Sequence, residues 1–211
     1  YDFVGTGFEL AMKYRNPVMI LSDGIIGQMM EKVELGPQKN RRSREEVVKS
    51  APWATTGKTP DRYHNIVTSL DLIAANQEKF NIKLQAKYAV IEENEVRYEE
   101  IDTQDADYIF VAYGSSSRIC QSAMKIARAK GIKVGLLRPI TLFPFPKKRI
   151  AEMAETKKGF LSVEMNAGQM VEDVRLAVNG KKPVEHYGRM GGIIPTPEEV
   201  VEALERKIIG G

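Results

Sequence analysis

The chain is poor in the residues that most often carry chemistry. Among its 211 residues there is one cysteine, Cys120, and there are two histidines, His64 and His186. A lone cysteine cannot form an internal disulfide and offers no paired-thiol spacing for zinc or an iron–sulfur cluster, which argues against a secreted, disulfide-stabilised domain. The histidines lie far apart in sequence, so a metal site or a nucleophile–histidine–acid triad has little to build on. No apolar run approaches the roughly 18 residues of a membrane span, and the N-terminus lacks the charged and apolar regions of a signal peptide; a reducing cytoplasm is the expected location. Neither GxGxxG nor GxxxxGK[ST] occurs, so no Rossmann fingerprint or P-loop is supported. Net charge is only +3, weak for a nucleic-acid binder. The basic run Lys39–Arg44 has no interleaved aromatics and reads as a solvated face.

What the chain does have is enough apolar residues for a core, 43% hydrophobic, arranged in a repeating grammar. Tyr108–Tyr113 is a short apolar run that stops at Gly114, after which an amphipathic segment opens. Similar runs return at Val134–Leu137, Phe160–Val163 and Val184–Tyr187. Apolar runs alternating with helical patterns predict an α/β fold with a mainly parallel sheet wrapped in helices. Helices are expected at about Ser117–Lys130, Lys147–Thr156 and Gln169–Asn179, each placed by caps and breakers. Thr196-Pro197-Glu198-Glu199 is a capping box with proline at the first helical position, and Val200, Val201, Leu204 and Ile208 give that last helix its apolar face.

The first half reads differently. Thr6–Glu9 fits a capping box, Asn16-Pro17 ends the helix it opens, and Val18–Leu21 reads as a buried strand closed by Ser22-Asp23-Gly24. With no initial methionine, this pair is expected to be the end of an α/β domain, within the C-terminal portion of a longer polypeptide. Glu31–Thr68, with Pro37, Pro52 and Pro60 and no sustained apolar period, reads as an extended connector. A long helix follows at roughly Ser69–Glu93, with Ile73, Phe80, Leu84, Tyr88 and Ile91 on one stripe. The expected organisation is therefore 1–30 as a domain end, 31–104 as connector and linker helix, and 105–211 as a second α/β domain.

Ligands of parallel sheets gather at the carboxyl ends of the strands. Gly114, Ser115, Ser116 and Ser117 form a small-residue turn before a helix, either an anion site or a serine-capped turn. Glu164, Asn166 and Gln169 follow another strand; Glu164 is a general acid or base only if burial tunes it, and otherwise a turn or interface residue. Arg189 stands beside Gly191 and Gly192 and is suited to carboxylate or phosphate contact, or simply to a surface loop. Cys120 reads as a small core residue.

Longer phrases carry a resemblance. "YRNPVMILSDGIIGQMME" resembles the end of the pyrimidine-binding domain in α subunits of 2-oxoacid:ferredoxin oxidoreductases. "FVAYGSSSR", "GLLRPITLFPFP", "SVEMNAGQMVEDVRLAV" and "GRMGGIIPTPEEV" resemble, in order, that subunit's following domain, which is like the transketolase C-terminal domain. "WATTGKTPDRYHNIVTSL" and "AKYAVIEENEVRYEE" look like the branched-chain, 2-ketoisovalerate type. Many 2-oxoglutarate relatives carry Glu-His-Asp after the glycine, where this chain has Lys58-Thr59-Pro60-Asp61. The resemblance implies oxidative decarboxylation of a 2-oxoacid to an acyl-CoA with reduction of ferredoxin, in anaerobic metabolism. It implies thiamine diphosphate and Mg2+ shared with a partner subunit, iron–sulfur clusters on partner subunits and coenzyme A as co-substrate. The implied partners are a pyrophosphate-binding β subunit, a γ subunit, a ferredoxin-like δ subunit and ferredoxin, with neither nucleic acid nor membrane. It places catalytic residues upstream of this sequence and none within it. Asp23, Gly24 and Ile25 are expected near the cofactor-facing edge, and Gly57, Lys58 and Asp61 toward the substrate. A non-catalytic interaction module and a flavodoxin-like small-molecule binder are the other readings of the same residues.

Overall fold

A computed structural model of the chain describes residues 1–36, 42–58, 60 and 67–210. Asp61 and His64, and part of the basic run Lys39–Arg44, lie outside the described residues. The chain divides into two units, Tyr1–Met29 with Lys87–Gly211, and Met30–Ala86.

The first unit is built on one five-stranded sheet in the order β1-β3-β2-β4-β5. Its strands are β1 (Tyr98–Ile101), β2 (Tyr108–Val111), β3 (Val134–Pro139), β4 (Gly159–Glu164) and β5 (Val184–Gly188). β2 pairs parallel with both β3 and β4, and β5 parallel with β4. β1 runs antiparallel along β3. The sheet is thus mainly parallel, as the alternating pattern predicts. β1 adds an edge strand whose sequence, YEEI, has no apolar run to announce it; it sits in the stretch read from sequence as linker.

Four helices cover the sheet. α4 (Gly114–Ala129) and α7 (Pro197–Leu204) pack on one face, where Cys120, Ala123, Ala127, Val200 and Leu204 meet Phe110, Leu136 and Leu161, all fully buried. α5 (Lys147–Thr156) and α6 (Met170–Val178) cover the other, where Ile150, Met153 and Val174 meet Ile109, Val111 and Phe160. β2 and β4 bury side chains on both faces, which is why their sequences read as continuous apolar runs rather than alternation. The capping box of Thr196 and Glu199 starts α7 as expected, and the chain continues from it as a π-helical turn, Glu205–Ile209.

The N-terminal stretch departs from the expectation. α1 spans Asp2–Tyr14, so Thr6 lies inside the helix, its hydroxyl donating to the Asp2 carbonyl one turn back rather than capping. Val18–Leu21 forms no strand and pairs with none among the described residues, and all four side chains are exposed. An apolar run becomes a strand only where a neighbour supplies the ladder, and propensity alone does not provide one. Polar contacts tie this stretch to the rest of the unit. Buried Glu95 accepts from the Lys13 amine at 2.7 Å and the Tyr14 hydroxyl at 2.6 Å, and the Lys87 amine donates to Asn16 at 3.1 Å.

The second unit contains α2 (Arg44–Ser50), which the connector reading did not anticipate. Its start is legible afterwards as a capping box, with the Ser43 hydroxyl accepting from the Glu46 N–H and the Glu46 carboxylate from the Ser43 N–H. The division between the units falls within α3 (Ala74–Asn94). Along the expected stripe only Ile91 is fully buried; Phe80, Leu84 and Tyr88 are half-buried, and Ile73 precedes the helix and is exposed.

Candidate functional site: the strand-end edge of the parallel sheet

The order β3-β2-β4 places the switch in winding direction at β2 and β4, whose carboxyl ends lead into α4 and α6. This is where parallel sheets hold ligands. The structure fills both helix starts with carboxylates of the chain itself.

At the end of β4, Glu164 is 2% exposed. One oxygen accepts from the Ser162 hydroxyl and the Val171 N–H, both at 2.9 Å. The other accepts from the Gln169 N–H at 3.0 Å and the Met170 N–H at 2.9 Å. Three of these donors are the free N–H groups that open α6, so the carboxylate neutralises the helix terminus. Burial pushes its pKa up, but the N–H groups of Gln169, Met170 and Val171 and the Ser162 hydroxyl more than offset this, and it lies below the usual carboxylate range. A general acid or base needs the opposite perturbation. Asn166 accepts from the Gly168 N–H at 2.7 Å, tightening the turn between β4 and α6. Gln169 is the residue before the first turn of α6 and contributes its backbone N–H.

At the end of β2, Gly114, Ser115, Ser116 and Ser117 form the first turn of α4 rather than a turn preceding it. The three serines are buried, and the Ser117 hydroxyl donates back to the Gly114 carbonyl at 2.8 Å. A carboxylate does sit at this helix start, that of Asp23. Its Oδ2 accepts from the Ser115 N–H at 3.2 Å, and its Oδ1 from the N–H groups of Ile25 at 3.0 Å and Ile26 at 2.8 Å. Burial raises the pKa of Asp23, while the N–H of Ile26, the hydroxyl and N–H of Ser115 and the N–H of Ile25 together bring it below the ordinary value. Gly24 carries no polar side chain, and Ile25 contributes its backbone.

His186, set aside in the sequence because of its isolation, stands opposite Ser162 in the β4–β5 register, with its Nε2 4.0 Å from the Glu164 carboxylate. That nitrogen is buried and makes no hydrogen bond, and burial holds the imidazole pKa down against the pull of Glu164. Nearby, the half-buried Tyr113 has its phenol pKa raised, by burial first and then by the charge of Glu164. Gly188 has no room for a side chain: a Cβ there would press on the Asn166 carbonyl oxygen and on the His186 ring. The Arg189 guanidinium is engaged by the Tyr187 hydroxyl and by Glu199, the latter at 2.5 Å. Gly57 and Lys58 belong to the other unit, where both are exposed and Gly57 adopts φ +99°.

Among the described residues no cluster of three or more His, Cys, Asp or Glu could hold a metal ion, and no helix is long and apolar enough to cross a membrane. Cys120 is fully buried, which pushes its thiol pKa far up and leaves it inert.

With this geometry in view, the comparisons with known proteins agree with one another. Residues 106–200 match the family described as pyruvate:ferredoxin oxidoreductase core domain II. The chain is 49% identical over 99% of its length to ketoisovalerate oxidoreductase subunit VorB of Methanothermobacter thermautotrophicus, covering 57% of that protein. It is 33% identical over 97% of its length to 2-oxoglutarate synthase subunit KorA of Methanothermobacter marburgensis, covering 60% of it. Among solved structures, a 2-oxoglutarate:ferredoxin oxidoreductase from Magnetococcus marinus, with 2-oxoglutarate, coenzyme A and succinyl-CoA bound, superposes with a TM-score of 0.62 and 27% identity, over 74% of this chain and 28% of that one. The fold is one shared with this class of oxidoreductase. The chain belongs with the subunits of 2-oxoacid:ferredoxin oxidoreductases, and it spans a little over half the length of the curated relatives it matches.

Proposed function

We propose that the chain is part of the α subunit of an enzyme that oxidatively decarboxylates a branched-chain 2-oxoacid, 2-ketoisovalerate, to its acyl-CoA while reducing ferredoxin. The observation that carries the substrate is the gap in identity: 49% to the VorB subunits of two ketoisovalerate oxidoreductases against 30 to 33% to 2-oxoglutarate synthase KorA subunits, over nearly the same stretch. The residues after Gly57 favour the same choice. The Magnetococcus marinus structure keeps 2-oxoglutarate as the second reading.

Under this proposal thiamine diphosphate supplies the carbanion chemistry on the keto carbon, and iron–sulfur clusters carry the electrons away. The described residues do not fit either group as direct ligands. Asp23 has both oxygens committed to backbone donors, and no acidic or thiol cluster is present among them. Diphosphate, Mg2+ and clusters are therefore assigned to partner subunits and to parts of the α subunit outside this sequence. In this reading 1–30 closes a pyrimidine-binding domain, 31–104 connects, and 105–211 serves assembly. Asp23 through its carboxylate, and Gly24 and Ile25 through the backbone, shape the cofactor-facing edge, and Gly57, Lys58 and Asp61 approach the substrate side. The strand-end loops with Asn166 and Arg189 contact partner subunits in the cytoplasm. The support for an assembly role is that both helix starts at the switch point are already neutralised from within.

The test is a comparison of kcat/KM on the full-length α subunit purified with its partner subunits. It uses 2-ketoisovalerate, 2-oxoglutarate and pyruvate in turn, with coenzyme A and a viologen acceptor. Preference for 2-ketoisovalerate is expected. Preference for 2-oxoglutarate would transfer the assignment to the second reading, and no turnover in a complex with its cofactors intact would leave a non-catalytic assembly module.

A further inference from the structure

We propose that Asp23 is a latch: its carboxylate is the anion held at the start of α4, and through it Ser22–Gln28 is fastened to the strand-end loop of β2. The bond from the Ser115 N–H joins residues 92 apart in the chain. The two oxygens divide the work. Oδ1 folds its own segment, accepting from Ile25 and Ile26 to open the short 3-10 turn Ile26–Gln28, and Oδ2 reaches across to α4. The Asp23 carbonyl also accepts from the Gly27 N–H at 3.1 Å, so the turn is fixed from both ends of the same residue.

The receiving side is shaped for this contact. Gly114 adopts φ +58°, and a Cβ there would lie 3.3 Å from Asp23 Oδ2 and 3.8 Å from the Ile26 side chain. A glycine is thus required twice, by its backbone conformation and by the approach of the latch. Other tethers of the N-terminal stretch include Lys13 and Tyr14 on Glu95 and Asn16 on Lys87, which end on α3 and the segment between it and β1. Asp23 joins the stretch to the strand-end edge itself. An asparagine could not replace it, because its single carbonyl oxygen cannot serve both sides and its NH2 would face a donor. While the latch is closed the start of α4 is unavailable to phosphate- or carboxylate-bearing ligands. This inference concerns the chain's own contacts and does not rest on the reaction proposed above.

Hydrogen exchange of the full-length subunit in its complex tests it. In D23A the amides of Ile25, Ile26 and Ser115 are expected to exchange about tenfold or more faster, the effect of losing a hydrogen bond to a charged acceptor, and in D23N the same holds for the side that the single carbonyl oxygen no longer serves. Core amides such as Leu136 and Leu161 keep their protection. Formate, which fits the space left by the missing carboxylate, is expected to restore protection in D23A but not in D23N. If D23A does not assemble, D23N and Gly114→Ala carry the test, the latter through the Ser115 amide alone, because its Cβ presses on Oδ2. Unchanged exchange at the three amides, acceleration spread equally to the core strands, or no response of D23A to formate would each overturn the latch.

Discussion

Glu164 gives the sharpest quantitative test of the strand-end edge. In Glu164→Gln the side chain keeps its shape and loses one acceptor oxygen and its charge. The least costly orientation leaves the remaining oxygen on the N–H groups of Gln169 and Met170 and turns the NH2 toward Ser162 and Val171. The Ser162 hydroxyl can rotate and accept, but the Val171 N–H cannot, and one buried donor is orphaned at about 1–3 kcal/mol. Loss of the negative charge from the start of α6 adds about 1 kcal/mol. The sum is about 2–4 kcal/mol, measured as the difference in unfolding free energy by urea titration of variant and parent at pH 7. The pH dependence has a definite sign. Because the native pKa of Glu164 lies below its ordinary 4.5, the stabilisation is complete above that value and is lost as pH falls through the native pKa. The difference between parent and variant should therefore be constant near neutrality and shrink in acid. A difference under about 1 kcal/mol at pH 7, where an orphaned donor alone should cost that much, or one that grows in acid, would refute the assignment of Glu164 as the internal anion of α6.

Three further predictions follow from the same structure. Glu95 is held at about 2 by the Lys13 amine first, then the Tyr14 hydroxyl and Arg97; Glu95→Gln should cost about 1–2 kcal/mol at pH 7, discounted for the exposed lysine, with the deficit vanishing in acid unfolding between the ordinary carboxylate range and about pH 2. Lys157, buried, donates to the carbonyls of Thr103, Gln104 and Ala106; Lys157→Met should cost about 2–3 kcal/mol in the same titration, and loosen exchange in the loop between β1 and β2. At Gly135 a Cβ would lie 2.7 Å from the Asp102 carbonyl oxygen and 2.8 Å from the Thr103 Cα; Gly135→Ala should destabilise by about 1–3 kcal/mol, since both obstacles are backbone, and a neutral variant would contradict the packing of β3.

The parts of the fold that could be read from sequence are those whose signal is local. β2, β3 and β4 are buried on both faces and appear as apolar runs, and α7 announces itself through Thr196, Pro197 and Glu199. β1 was not legible because an edge strand of Tyr98, Glu99, Glu100 and Ile101 takes its structure from pairing with β3 rather than from its own composition. Val18–Leu21 shows the converse: strand-like residues with no partner strand among the described residues remain unpaired. The edge divides the same way. Its location followed from strand–helix alternation, whereas its chemistry did not, because Asp23 reaches Ser115 across 92 residues and His186 approaches Glu164 only through sheet register. The sequence after Gly114 allows either an anion site or a capped turn. In the structure the Ser115 N–H meets the Asp23 carboxylate, a group of the chain itself, and no spacing rule links a carboxylate that distant to a helix start.

The most direct test of the functional proposal is to identify the thioester formed when the complete complex turns over 2-ketoisovalerate with coenzyme A and oxidised ferredoxin. Mass spectrometry should find isobutyryl-CoA accumulating in step with reduced ferredoxin. Succinyl-CoA formed faster from 2-oxoglutarate would contradict the branched-chain assignment, and the absence of any acyl-CoA from either acid would contradict the oxidoreductase itself.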